Sequence, residues 1–414
     1  MALIVQKFGG SSVATPERIH IAATRAIRER ALGNEVVIVV SAMGDTTDDL
    51  IELAKKVCTF GGRDVAPPKR EMDQLLATGE QQTIALFAMA LHAQGQEAIS
   101  FTGGQIGLMT DASFSKARIQ SINQHRIQDQ LKAGKIVIVA GFQGVTADGD
   151  ATTLGRGGSN ATLVALGAVL GAEVCENFTD VDGIFTADPR IVKNARKIER
   201  ISYDEMLELS GLGASVLQTR AVEFAKKYKV PLHVRNSQNH TTGTWIVAES
   251  LNMEEIVVSG AALKKDLIRV AVKAVPDQPG IAATIFSDIA AANIVVDDII
   301  QTVNDDHTAD VSFTVEHGDL ADIRPVVEAL LKQIGDAKTR ATYQGDLCKV
   351  SVVGVGMRTH TGVAQRMFRA LADAKINIQN ITTSEIKISC IIDREDGHRA
   401  LQLVHDAFEL GGAT

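Results

Sequence analysis

VQKFGGSSVATPE, residues 5–17, sets the problem. A short apolar run enters Lys7-Phe8-Gly9-Gly10-Ser11-Ser12, and helix signals follow. Thr15 suits a cap, Pro16 suits the first helical position, and Ile19, Ala22, Ala23, Ala26 and Ile27 make one apolar stripe before Gly33. A glycine-rich turn from strand to helix favours an anion, because backbone N–H groups and a helix start face it. Yet the stretch is neither the GxGxxG of dinucleotide folds nor the GxxxxGK[ST] of P-loops. The lysine stands before two adjacent glycines, at the end of a strand, where its charge could meet a phosphoryl group in transfer. A plain turn with a surface lysine is the alternative.

The rest of the chain bounds the answer. Its 414 residues exceed one ordinary core, so several domains are expected. Hydrophobic residues make up 45% and charged residues 22%, the balance of a globular protein, and scarce aromatics beside plentiful Ala, Val and Ile suit α/β layers. The net charge of −8 and the lack of basic runs argue against nucleic acid as a partner. Cys58, Cys175, Cys348 and Cys390 stand apart with no CxxC spacing, which fits buried thiols in a reducing cytoplasm. The opening MALIVQKF reads as a strand and not a signal peptide, and no apolar run has the roughly 18 residues a membrane span needs. A cytoplasmic protein with no membrane partner is expected.

Up to residue 248, strand and helix patterns alternate, which predicts a layered α/β domain. Leu3–Val5, Val36–Val40, Ile136–Ala140 and Val174–Phe178 are continuous apolar runs, as parallel strands covered on both faces should be. Helices are expected after Thr15, from Asp48, from near Gly79, and over 159–170 with a stop at Gly171. After Met253 the pattern changes and an internal repeat emerges. GIAATIFSDIAAANIVV (280–296) aligns without gaps on GVAQRMFRALADAKINI (362–378). Each copy follows a β-rich run (Ile268–Val275; Lys349–Val355) and precedes another (Ile299–Val303; Ile386–Ile392), so a paired α+β module is expected.

Four further stretches carry chemistry. TTLGRGGSNATLVALG (152–167) is a second glycine-rich turn before a helix, with Ser159 placed to cap it and Arg156 offering a fork for a carboxylate. FTDVDGIFTADPRIV (178–192) ends an apolar strand in Asp180 and Asp182, then Gly183, with Asp188-Pro189-Arg190 beyond; carboxylates there could orient a phosphate-binding lysine or a Mg²⁺–nucleotide. An acid-rich turn is the plainer reading. Ser41 and Thr47 in VVSAMGDTTDD and Glu80 in LLATGEQQ are polar groups at element ends, and Glu80 would suit a substrate ammonium. The histidines lack any HxxxH or HExxH spacing, and no direct metal-binding motif is present.

KFGGSS, VVSAMGDTT, LLATGE, FQG, TTLGRGGS and TDVDGIFTADPR, in this order and spacing, resemble the aspartate kinases over the whole chain. The duplicated region resembles the family's two ACT domains, with DQPGIA (277–282) and TSEIKIS (383–389) as effector loops. The resemblance implies a monofunctional enzyme, without the homoserine dehydrogenase domain of fused relatives. It implies a three-layer αβα amino-acid-kinase fold over 1–248, followed by tandem ferredoxin-like ACT domains. The first would span 264–338 and the second 253–263 with 345–410. The implied reaction is phosphorylation of the L-aspartate side-chain carboxylate by ATP with Mg²⁺, the first step towards lysine, threonine and methionine.

The same resemblance assigns residues. Lys7 with Phe8, Gly9 and Gly10 would hold the ATP phosphates. Thr179, Asp180, Phe185, Thr186, Ala187, Asp188, Pro189 and Arg190 would hold the nucleotide. Ser41, Thr47, Glu80, Arg156, Gly157, Gly158 and Ser159 would hold aspartate, with Glu80 on its ammonium and Arg156 on a carboxylate. Lys7, Arg156, Asp182 and Asn160 are the catalytic candidates. One implied effector site comprises Asp277, Gly280, Ile281, Ala282, Val295, Val296, Asp297 and Gln301, the other Asn377, Ile378, Thr383, Ser384 and Glu385. Lysine, threonine or both would inhibit there. The partner would be a second copy through the ACT domains, or a small regulatory subunit begun at Met253 in a tetramer. A catalytically weak or dead ACT-based amino-acid sensor is the competing reading, with acetylglutamate, glutamate and uridylate kinases as further relatives of the fold.

One departure bears on the chemistry. The family usually has Asp after RGGS, and this chain has Asn160. The acceptor carboxylate is already ionised at neutral pH, so no general base is required. Asn160→Asp should therefore change turnover only modestly, and a large gain in kcat would show that charge at this position matters more.

Overall fold

The computed structural model describes residues 1–60, 63–213, 216–248, 257–334 and 338–412. It divides into two compact units, Met1–Phe185 with Lys197–Gly211 and Ser215–Asn252, and Thr186–Arg196 with Leu212–Ala214 and Met253–Thr414. Met253 and the start of the 253–263 segment lie outside the described residues.

In the first unit the apolar runs become parallel strands. β1 (Leu3–Phe8) lies between β2 (Glu35–Val40) and β5 (Val174–Thr179), parallel to both. β3 (Ala98–Phe101) and β4 (Ile136–Ala140) extend one side. β6 (Arg200–Ser202), β7 (Leu232–Asn236) and β8 (Thr244–Val247) extend the other, giving the order β6-β8-β7-β5-β1-β2-β4-β3 among the described residues. Only β7 and β8 pair antiparallel within it.

Helices cover both faces. α1 (Pro16–Ala31) is capped by the Thr15 side chain and packs with α3 (Lys69–Ala93) over Phe8, Val36, Ile38, Val40, Ile136 and Ile138. α2 (Thr46–Cys58) lies beside α3. α4 (His125–Lys132) leads into β4. α5 (Gly158–Leu170) packs on β1, β2 and β5, joined by α6 (Tyr203–Gly211) and α7 (Thr219–Tyr228). The result is the expected three-layer αβα sandwich.

Two helix starts differ from expectation. Gly79 does not open a helix but lies inside α3, and a Cβ there would sit 2.8 Å from Ala42 Cβ. The glycine serves close packing, not termination, which a single sequence cannot separate. Ser159 is the second residue of α5; the cap is Gly157, held at φ +71°.

The second unit carries the repeat as a six-stranded antiparallel sheet. Its strands are β9 (Gly260–Pro276), β10 (Asp297–Val303), β11 (Thr308–Glu316), β12 (Arg340–Val353), β13 (Asn380–Thr383) and β14 (Lys387–Asp393), ordered β10-β11-β9-β12-β14-β13. Helices α8 (Ile281–Ala291), α9 (Leu320–Ile334), α10 (Val363–Asp373) and α11 (Gly397–Ala407) complete two βαββα copies. Gly280 and Gly362 cap matching helices at φ +98° and +88°. Ile285, Ile289 and Ile294 enter one core, and the aligned Met367, Leu371 and Ile376 enter the other. β9 serves both copies: Gly260–Lys264 pairs with Lys349–Val353, and beyond an irregularity Leu267–Pro276 pairs with β11.

A buried ion cluster ties the copies together. Lys349 Nζ lies 2.5 Å from Asp297 Oδ2 and 3.0 Å from Asp298 Oδ2, with Lys349 1% exposed. Thr382 and Thr314 hydroxyls donate to Asp298 at 3.0 and 3.2 Å. Burial opposes ionisation of Asp297, but the Lys349 contact holds its carboxyl below the usual range. Removing one member of a buried pair leaves uncompensated charge and costs about 3–5 kcal/mol. Lys349→Met should lower the stability of this unit by that order in urea unfolding, and Lys349→Met/Asp298→Leu should recover part of it.

Candidate active site

Parallel pairing places the carboxyl ends of β1, β2 and β5 side by side. Phe8 and Phe178 stack there at 4.8 Å with planes 5° apart. Gly9 N–H donates to Phe178 O at 3.2 Å, so the glycine turn is tied to the end of β5. Gly10 follows in close contact with the loop after β2: an added Cβ would lie 2.9 Å from Ala42 O and 3.2 Å from Gly44 O. Gly44 N–H in turn donates to Gly10 O at 3.1 Å. Lys7, 9% exposed, comes from the strand just before this turn. Burial pushes its ammonium down to about 8, with Asp180 acting in the opposite direction.

The loop after β2 also holds Glu80. Its Oε1 accepts the Ala42 N–H at 2.9 Å, while Oε2 is buried with no partner among the described residues. Burial raises its pKa to about 7, partly offset by the Ala42 hydrogen bond. Gly79, by admitting Ala42, sets this distance. Ser41 Oγ, on the same loop, donates to Ser159 Oγ of α5 at 3.0 Å. One residue on, Asn160 Oδ1 is buried without a partner. The β2 loop therefore joins the glycine turn, Glu80 and the start of α5.

Beyond β5, Asp182 Oδ1 accepts from Asn236 Nδ2 at 2.7 Å and Asn239 Nδ2 at 2.8 Å. The Asn239 hydrogen bond is the largest influence holding its carboxyl below the usual range. Asp180 accepts from the Thr179 hydroxyl at 3.0 Å. No group of three or more His, Cys, Asp or Glu among the described residues could hold a metal on its own.

The sequence matches the amino acid kinase family over residues 2–236 and ACT domains over 269–335 and 350–408. An aspartokinase from Bacillus sp. (strain MGA3) is 49% identical over 100% of this chain and 99% of its own. Aspartokinase 2 of Bacillus subtilis (strain 168) is 50% identical over 99% and 98%. The chain belongs to the aspartate kinases. The crystal structure of E. coli aspartokinase III in complex with aspartate and ADP shares the fold, with TM-score 0.85 and 24% identity over 98% of this chain and 99% of that one.

Seen as an aspartate kinase, the chain gathers most of its expected groups in the first unit. Phe8, Gly9, Gly10, Ser41, Glu80 and Ser159 are linked through the contacts above, and Lys7 and Asn160 are chain neighbours of this set. Thr47 is half-buried in the first turn of α2, and Arg156 is exposed just before α5 with no ion pair among the described residues. Gly158 is packed against Leu154 and Phe142, where a Cβ would come within 2.9 Å. Thr186–Arg190 fall in the second unit. There the buried Thr186 hydroxyl donates to Leu410 O at 3.1 Å and accepts from Arg196 N–H at 2.9 Å, Ala187 joins the apolar core, and Arg190 pairs with Asp188 at 2.8 Å. Among effector residues, Asp277, Gly280 and Gln301 are exposed, Asp297 is held by Lys349, and Glu385 pairs with Arg358 at 2.7 Å.

Sequence reasoning passed over Asp73. It is fully buried in α3 and accepts from Ser115 N–H at 2.9 Å, Thr153 N–H at 2.8 Å and the Thr153 hydroxyl at 2.7 Å. It thereby fixes the strand that leads into Gly155–Gly158. A lone Asp in an amphipathic helix gives no signal of this. No helix among the described residues is long and apolar enough to cross a membrane.

Gly10 gives the sharpest test of the turn. Gly10→Ala must push its Cβ into backbone oxygen, so the β1 and β2 loops must separate. ATP KM should rise at least about tenfold while the fold persists by circular dichroism, since a displacement of ~1 Å can cost two orders of magnitude in rate.

Proposed function

We propose that the chain transfers the γ-phosphoryl group of ATP to the side-chain carboxylate of L-aspartate at this strand-end site. One observation carries the reading: two groups of opposite charge, Lys7 near the end of β1 and Glu80 in α3 against the loop after β2, are buried and neither forms an ion pair among the described residues. Burying unpaired ionisable groups is costly, and functional sites are where such cost is met. Lys7 suits a phosphoryl oxygen. Glu80 Oε2 suits the ammonium of an amino acid, and the exposed Arg156 suits a carboxylate.

The residues then divide the labour. The acceptor carboxylate is ionised, so the difficulty is bringing two anions together. Lys7 and the glycine N–H groups supply positive charge; Ser159 and Gly157–Gly158 position the acceptor; Asn160, neutral and with a free carbonyl, orients without removing a proton. Mg²⁺, carried on the nucleotide phosphates, would add charge neutralisation. Asp182, held ionised by two asparagines, would face that end. Within the first unit, Thr179, Asp180 and Phe185 would complete the nucleotide's surroundings.

Regulation belongs to the ACT repeats. Lysine, threonine or both would bind at the two loop sets, one around Asp277–Ala282, Val295–Asp297 and Gln301, the other around Asn377, Ile378 and Thr383–Glu385. An effector ammonium at Asp297 would have to compete with Lys349 already there. Inhibition requires the effector to prefer one arrangement of the protein over another. The ACT repeats would also carry assembly, as a homodimer or with a small subunit.

Two pH limbs follow. As pH falls through about 7, Glu80 takes a proton and kcat/KM for aspartate should drop. As pH rises through about 8, Lys7 loses its proton and kcat/KM for ATP should drop. Glu80→Gln should remove the acid limb and Lys7→Arg the alkaline one. The folded pKa of Glu80 lies above its unfolded value, so its ionisation destabilises: Glu80→Gln should gain stability over the parent at pH 8 and lose that advantage towards pH 5. A coupled ADP-release assay with Mg²⁺-ATP and L-aspartate, with and without lysine and threonine, is decisive. Binding of lysine or threonine without any turnover would favour the sensor reading.

A further inference from the structure

Arg25 belongs to none of the motifs, yet it reaches both sides of the nucleotide end. It is half-buried on α1, and its guanidinium carbon lies 4.9 Å from the centroid of the Phe178 ring. Phe178 is the residue whose carbonyl accepts the Gly9 N–H and whose ring stacks on Phe8 beside Lys7. The same guanidinium donates from Nε to Ser237 O at 3.1 Å and from Nη2 to Asn239 O at 2.5 Å. Asn239 in turn donates from Nδ2 to Asp182 Oδ1 at 2.8 Å. Its amide orientation is fixed because its Oδ1 accepts the Thr241 N–H at 3.0 Å and hydroxyl at 2.8 Å. Ser237 N–H closes the loop onto Thr179 O at 2.8 Å.

We propose that Arg25 is a positioning residue for the kinase reaction, bracing the Gly9 turn through Phe178 and Asp182 through Asn239, so that nucleotide binding depends on it. This rests on the reading that Gly9 and Asp182 face the nucleotide. A flat fork with several donors is needed, because one group must stack on a ring while bonding two carbonyls on a neighbouring loop. Lysine, a compact ammonium with no flat face, cannot stack on the ring while reaching both carbonyls. Arg25 itself touches no substrate in this scheme; Glu80 reaches the turn through Ala42 and Gly10, contacts that Arg25 does not share, so aspartate binding should be insensitive to it.

Purified full-length protein with Arg25→Lys and Arg25→Met should show Kd and KM for Mg²⁺-ATP raised about tenfold, the scale of losing charge-assisted hydrogen bonds. KM for aspartate should stay within about twofold. Asn239→Ala should reproduce the ATP effect. Arg30 gives the structural control: it also lies on α1 and donates to Gly134 O at 3.0 Å, far from the turn in sequence and contacts. Arg30→Met should lower Tm without moving ATP KM. If the Arg25 variants lower Tm but leave ATP Kd and KM unchanged, or shift both substrates equally, while Asp182→Asn still weakens ATP binding, the positioning role is overturned. If Asp182→Asn leaves ATP binding and turnover intact, the reading beneath it falls, and the proposal with it.

Discussion

Parallel pairing of Leu3–Phe8 between Glu35–Val40 and Val174–Thr179 brings three strand ends to one edge of the sheet. Each ends in a loop that must turn within a few residues, and the loops are packed tightly enough that side chains are excluded at their contacts. Gly10 meets Ala42 O, Gly141 meets Val40 O and Ser159, and Gly79 meets Ala42. These glycines are close-approach glycines. None of the three needs a left-handed backbone. What they provide is distance: backbone N–H groups and short polar side chains gathered where a phosphate and an amino acid could both fit. Crevices beyond the carboxyl ends of parallel strands recur as ligand sites for this reason.

That packing also creates the electrostatic character of the site. A lysine near the end of β1 and a glutamate in α3 are taken out of water beside these loops without being paired with one another. Burial lowers the lysine and raises the glutamate, so both stand near neutrality, about 8 and about 7. A direct salt bridge between them would have restored ordinary pKa values and removed their use. Asp182 differs: two asparagine amides, with Lys197 acting from farther off, hold its carboxyl below the usual range without an ion pair among the described residues. The contrast separates groups that await a ligand's charge from one whose charge is already accommodated.

How much of this was legible in the sequence follows from the range of each interaction. Strands, the α1 cap and stripe, and the stop at Gly171 are local, and each was readable from a few neighbouring residues. The ordered motifs made the kinase fold legible as well. Glu80 was singled out as a partner for an ammonium at an expected helix start; its actual setting inside α3 depends on Ala42, 38 residues away. Asp73 reaches Thr153 across 80 residues and Arg25 reaches Asn239 across 214. No periodicity or spacing rule connects such partners. The chain's second unit illustrates the same limit, since the Thr186–Arg196 stretch reads as part of a continuous strand-end motif while its buried hydroxyl bonds to Leu410.

The repeat shows how a duplicated frame yields unequal halves. Its outer faces match position by position, because helix caps and core residues answer to the same geometric demand. Its inner face does not. The constant offset places Lys349 of the second copy on Leu267 of the first, and Asp297 of the first on Gln379 of the second. Lys349 meets two carboxylates, whereas Gln379 accepts from Gln344 Nε2 at 2.7 Å and donates to Asp393 at 2.5 Å. One half is closed by charge and the other by amides. A ligand ammonium at Asp297 would have to displace an ammonium already bound to acid, whereas at Gln379 it would meet amides beside the exposed Asp393. Backbones that repeat therefore enclose polar groups of different charge, because the side chains at matching positions answer to different neighbours.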